Sequence, residues 1–193
     1  MKPPGGKPPP ATATSGSSLP TVEASDPALS SALLALVIAP SAAAERRVAE
    51  RYRALGILDA ASDHFSRAVR LDPTDGAAYE GVARIWRDWG FPHLGVSDAS
   101  RAVYYAPTSA AAHNTLGTIL SAIGQRADAR REYERALTLD PRASYALNNL
   151  CFLSLLEGDT SQAVRECRAA LAIDPDSAPA RANLARAEAA GSR

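Results

Sequence analysis

From Ala42 onward, large apolar residues recur three and four positions apart, with Ala, Arg and acidic residues between them. This spacing predicts amphipathic helices, because residues at i, i+3, i+4 and i+7 share one face. Pro73, Pro107, Pro141 and Pro175 stand 34 residues apart and close the phrases AVRLDP, AVYYAP, ALTLDP and ALAIDP. Gly56, Gly90, Gly124 and Gly158 keep the same step. Gly can take the left-handed conformation that ends a helix, and Pro cannot continue one. Each period therefore reads as helix, glycine turn, helix and proline stop.

With Ala42, Gly76, Ala110 and Ser144 as period starts, small residues fall in register where paired helices approach. The eighth position holds Ala49, Ala83, Gly117 and Cys151; the twentieth, Ala61, Gly95, Ala129 and Ala163; the twenty-seventh, Ala68, Ala102, Ala136 and Ala170. The 41 alanines among 193 residues thus act as contact residues as well as helix formers.

These units resemble tetratricopeptide repeats. The third carries Leu116, Gly117, Ala129, Tyr133, Ala136 and Pro141 at that family's key places, and the first carries Val48, Ala49, Tyr52, Ala61, Phe65, Ala68 and Pro73. The resemblance implies an all-α fold, a right-handed α-solenoid of antiparallel helix pairs, with four full repeats at 42–75, 76–109, 110–143 and 144–177. Ala28, Ala32, Ala35, Leu36, Ile38 and Pro40 match a second helix, so 27–41 is expected to be an N-terminal half-repeat, and 178–193 a C-terminal capping helix of the kind stacked repeats need. In the second unit Gly95 and Ala99 are small where Trp86 and Trp89 enlarge the facing helix, and volume is expected to balance. The fourth has Ser154 and Cys167 where aromatics are expected, and should be the loosest unless Leu153, Leu155 and Leu156 fill the gap.

Seven of the fourteen prolines fall in the first 27 residues, which lack aromatics, and residues 1–26 are expected to be disordered. The run ALSSALLALVIA at 28–39 could also serve as a signal-peptide core, but acidic Glu23 and Asp26 precede it and the leader is long and weakly basic. The run is too short to cross a bilayer, and no membrane insertion is expected.

The charges cancel, 21 basic against 21 acidic, which argues against a nucleic-acid partner. No phosphate-binding loop, HExxH pair, GxSxG elbow or CxxC occurs, so neither a metal, a cofactor nor an enzymatic activity is expected. Cys151 and Cys167 are too few for a disulfide framework and read as free core fillers in a reducing compartment, with the cytoplasm as the expected location. His113 reads as a structural histidine at a packing position, while His64 and His93, near turns, are expected at the surface.

By the resemblance, first helices line a concave groove. Its first half would present Arg46, Arg53, Arg84 and Arg87 among mixed charges, and its second Asn114, Tyr145, Asn148, Phe152 and Leu155. Residues 110–123 and 144–156 contain no Asp, Glu, Lys or Arg. Such helices are either packed on most faces or present an exposed apolar patch that marks a partner site. Asn149 and Asn183, at the sixth position, resemble the asparagines with which peptide-binding members hold an extended backbone. The carboxylate clamp of chaperone-binding members is not matched, since Arg46 and Glu50 stand at its places. The expected function is a non-catalytic scaffold that binds a peptide segment or helix of a protein partner, as an assembly factor or adaptor of a bacterial complex. Self-association or a pilus or secretion role is the alternative, the chain being a monomer or weak homo-oligomer.

Overall fold

The computed structural model describes residues 22–191. All its regular elements are helical: α1 (Val22–Ser25), α2 (Pro27–Ile38), α3 (Ala42–Ala54), α4 (Leu58–Leu71), α5 (Gly76–Asp88), a 3-10 turn (Pro92–Gly95), α6 (Val96–Tyr105), α7 (Ala110–Ala122), α8 (Arg126–Leu139), α9 (Ser144–Glu157), α10 (Thr160–Ile173) and α11 (Ala178–Gly191). The helices α3/α4, α5/α6, α7/α8 and α9/α10 pack as hairpins, and each second helix also meets the next first helix. The result is an all-α solenoid of stacked helix pairs, with α2 on α3 at one end and α11 on α9 and α10 at the other.

Both ends of each first helix follow from the sequence. Ser41, Asp75 and Ser109 stand one residue before α3, α5 and α7, and each accepts a hydrogen bond from the backbone N–H three residues on. Ser177 does the same for α11, whereas Ala143 leaves α9 without a side-chain cap. At the other end Gly56, Gly90, Gly124 and Gly158 have φ between 76° and 84°, where a side chain would be strained.

The core is a series of similar clusters. Phe65, fully buried, packs between α3 and α5, where the absence of a side chain on Gly81 makes room for its ring. Tyr133 lies against Gly117 in the same way. The second repeat lacks such an aromatic; Ile119 and Trp86 close in on Gly95 instead, and Trp86 meets Trp89 edge to face. Leu153 is buried in the cluster beneath α7 and α8, Leu155 packs near the cysteines, and Leu156 is exposed.

Three expectations change. Residues 1–21 lie outside the described part, but Val22–Ser25 forms a helical turn and Asp26 caps α2 with its carboxylate, so order begins before residue 27. His64 is buried because its imidazole reaches across the helix pair to Glu45 at 2.5 Å and stacks on Tyr52. Cys151 and Cys167 are joined in a disulfide, because the eighth and twenty-fourth positions of a repeat face each other, here with Cα atoms 5.3 Å apart. The reading of free thiols is withdrawn. Among the described residues, no helix is long and apolar enough to cross a membrane.

Candidate functional site

Residues three, four and seven apart on a helix share a face. In α9 this brings Tyr145, Asn148 and Phe152 together, and in α3 and α5 it aligns Arg46, Glu50 and Arg53 with Glu80, Arg84 and Arg87. The site is thus a strip across successive first helices, polar and charged at one end and aromatic at the other.

At the charged end every predicted arginine has an acidic partner. Arg46 Nε donates to Asp75 at 2.7 Å. Arg53 reaches Glu50 at 3.4 Å and Asp88 at 2.9 Å, and Arg87 meets Asp88 at 2.7 Å. Arg84 joins the two repeats, lying 3.2 Å from Glu50 and 3.8 Å from Glu80. The side chains of these four arginines keep between 19 and 34% of their surface exposed, so the network is wet and its individual pairs contribute little to stability. Its main effect is positional: paired guanidinium groups are held in place along the strip. A cavity of about 600 Å³ lies beside it, lined by Ala28 and Ala32 of α2, Arg46, Glu50 and Arg51 of α3, and Glu80 of α5.

The asparagines form rungs between repeats. Asn149 donates through Nδ2 to Asn114 Oδ1 at 2.8 Å, and Asn183 donates to Asn148 Oδ1 at 3.0 Å. Thr115 makes the equivalent contact to Glu80 at 3.0 Å. Each rung joins the sixth position of one first helix to the fifth position of the preceding one, with a sequence separation of 35. Asn183 is buried, and Asn149 is half-buried. Their amide hydrogens therefore act in stacking the repeats.

At the aromatic end Tyr145 and Phe152 are 42% and 40% exposed, although nothing charged stands on α9 before Glu157. Leu155 is half-buried against the cluster around Cys151, Cys167 and Ala187. The two expectations for this helix thus divide by residue: Leu150 and Leu153 are internal, while Tyr145 and Phe152 are presented to solvent. Tyr145 also helps line a cleft of about 280 Å³ with Arg84, Arg87 and Asn114. Burial, and the acidic Asp140 and Glu80 nearby, push its phenol pKa up, so at neutral pH it keeps a hydroxyl that both donates and accepts.

Glu50, Glu80 and Asp88, which the count within a repeat also places toward the groove, organise the charged end together with Thr115 at the sixth position. Their pairing with the arginines across neighbouring helices is what the count does not give. Among the described residues, no group of three or more His, Cys, Asp or Glu side chains could hold a metal ion. His113 is bonded to Glu132, and His93 is exposed.

Stacked helix hairpins joined by such rungs define a helical-repeat solenoid. Residues 110–143, the span of the third repeat, match the family model described as Tetratricopeptide repeat. No curated protein matches the sequence. Among solved structures, TTC0263, a thermophilic TPR protein of Thermus thermophilus, superposes with a TM-score of 0.74 at 21% identity, over 83% of this chain and 89% of that one. YrrB, described as a TPR protein with an unusual peptide-binding site, gives 0.61 at 21% identity, over 80% of each chain. MamA gives 0.63 at 19% identity, over 78% of this chain and 82% of that one. At these identities the likeness is one of fold.

Proposed function

We propose that the protein is a non-catalytic scaffold that holds a peptide segment or helix of a partner protein along the strip from Arg46 to Phe152. The exposure of Tyr145 and Phe152 on a helix with no charge before Glu157 carries this reading. Two aromatic rings held in solvent by a rigid helix offer contact area at low entropic cost, and aromatics are enriched where partners bind. Arg84 and Arg87, beside Tyr145, supply donors for carboxylates or backbone carbonyls of the same ligand. The asparagine rungs support a role in holding the groove's shape. YrrB, whose description names a peptide-binding site, and the first TPR of Spaghetti (RPAP3), solved with an HSP90 peptide, support the class of ligand. The chain would act as an assembly factor or adaptor of a multiprotein complex. Affinity capture with wild type and a Tyr145→Ala, Phe152→Ala double variant tests this. Partners lost with the variant support the groove, and identical partner lists reject it.

Self-association is the second reading. It is favoured by α2, on which Leu34, Val37 and Ile38 are 60 to 77% exposed. Light scattering over a concentration series separates the two, since a monomer at every concentration excludes this one.

A further inference from the structure

Every repeat must fill the space between its two helices at the level of the eighth and twenty-fourth positions. The first and third do so with an aromatic over a small residue, Phe65 facing Ala49 and Tyr133 facing Gly117, all buried. The second has Ala99 there, and Trp86 with Ile119 of the next repeat supplies the volume. In the fourth repeat the positions that hold Trp86 and Ile119 are Ser154 and Ala187, both fully buried and both small. The bond between Cys151 and Cys167 occupies the place of the missing ring, with the aliphatic Leu155, Val164 and Leu184 packed around it and no aromatic in the cluster.

We propose that the fourth repeat is redox-conditional: its helix pair is closed by the disulfide in place of an aromatic core residue, so the aromatic wall of the groove forms fully only where thiols are oxidised. This rests on the reading of α9 as that wall, because Tyr145 and Phe152 project from the helix that carries Cys151. Two thiols lose two protons and two electrons as the Sγ–Sγ bond forms. A disulfide oxidant, small-molecule or protein, accepts them as its own S–S bond breaks and it leaves as two thiols, by way of a mixed disulfide. In the folded chain both sulfurs belong to residues with no solvent exposure, so reductants reach the bond only when the helix pair opens. The bond is therefore a condition of folding set by the compartment, slow to reverse once α9 and α10 have closed. Because each repeat contacts only its neighbours, the consequence is local to the C-terminal end.

The test is amide hydrogen exchange on the full chain, prepared once with glutathione disulfide and once with dithiothreitol, with alkylation and intact mass to count free thiols. The reduced chain is expected to exchange at least about tenfold faster in α9 to α11, with α3 to α6 unchanged within about twofold. A Cys151→Ala, Cys167→Ala variant should show the fast pattern under both conditions. A Cys151→Gly, Cys167→Tyr variant copies the third repeat and should show the slow pattern under both. Equal protection of oxidised and reduced wild type, or two alkylatable thiols after glutathione disulfide treatment, overturns the proposal. The exchange readout needs no partner, so that outcome sinks redox dependence alone, while an unchanged partner list for the Tyr145, Phe152 variant sinks the groove reading alone.

Discussion

His113 on α7 lies 2.7 Å from Glu132 on α8 through Nδ1, while its Nε2 lies 3.1 Å from the carbonyl oxygen of Pro107. Both ring nitrogens thus face oxygen atoms, one on the facing helix and one on the preceding turn. The first repeat makes the same contact with the partners exchanged: Glu45 is on the first helix and His64 on the second, 2.5 Å apart. Both pairs have a sequence separation of 19 and join the fourth position of a repeat to the twenty-third.

If the geometry of the pair matters and its direction does not, exchanging the first pair should be tolerated. A Glu45→His, His64→Glu double variant is expected to lose less than about 1 kcal/mol, whereas Glu45→Ala alone should cost about 1–3 kcal/mol by leaving a buried group unsatisfied. Urea denaturation of wild type, both single variants and the exchange variant measures the coupling. An exchange variant as unstable as the sum of the two single changes contradicts the equivalence.

Gly81 is required by its neighbour. A Cβ built there would lie 2.1 Å from Phe65 Cε1, inside the fully buried ring. Gly81→Ala is expected to destabilise by about 1–3 kcal/mol or more, the cost of overpacking a filled core. A Gly81→Ala, Phe65→Leu double variant should recover part of that loss, and thermal unfolding reads both.

Ala143 is the one position before a full repeat's first helix that lacks a capping side chain. Ala143→Ser should stabilise by about 0.5–1 kcal/mol if the hydroxyl reaches the N–H of Ala146 as Ser109 reaches that of Ala112. A lower melting temperature would mean that the buried site has no room for the oxygen.

The Arg51 guanidinium and the Leu29 N–H hold the Asp26 carboxyl down at about 2, from its ordinary 3.8. A depressed carboxylate stabilises the fold above its unfolded pKa, and the contribution is lost as pH falls through the folded value. The docking of α2 on α3 should therefore be unaffected down to about pH 4 and weaken between there and pH 2. Amide exchange in α1 and α2 measures it, and Asp26→Asn, which keeps a capping oxygen, should show less of this dependence.

Much of the fold could be read directly, because a solenoid writes its architecture as a period. Pro73 and its three counterparts mark where each second helix stops, and Gly56 and its counterparts take the predicted left-handed turn. The candidate groove residues were legible as a list, since Arg46, Tyr145 and Phe152 follow from counting within a repeat. What counting could not give were contacts set by how two helices face each other. The His64 to Glu45 pair, the Cys151 to Cys167 bond and the Asn149 to Asn114 rung each join residues on different helices. The period did contain a clue: Glu45 and His64 have the same spacing as His113 and Glu132, and the cysteines stand where Gly117 and Tyr133 do. Whether α9 was buried or presented was undecidable from its composition, because a helix without charges fits both, and only the placement of its neighbours separates Leu153 from Phe152.

Docking of a protein on the aromatic end of the strip can be read by site-specific photo-crosslinking. A benzophenone amino acid is placed at Phe152 in the full chain and, separately, at Arg135, an exposed residue on the second helix α8. A discrete protein adduct is expected from Phe152, competed away by excess unlabelled wild type and not by the Tyr145→Ala, Phe152→Ala variant, and no such adduct from Arg135. No adduct from Phe152, or the same adduct from both positions, contradicts it.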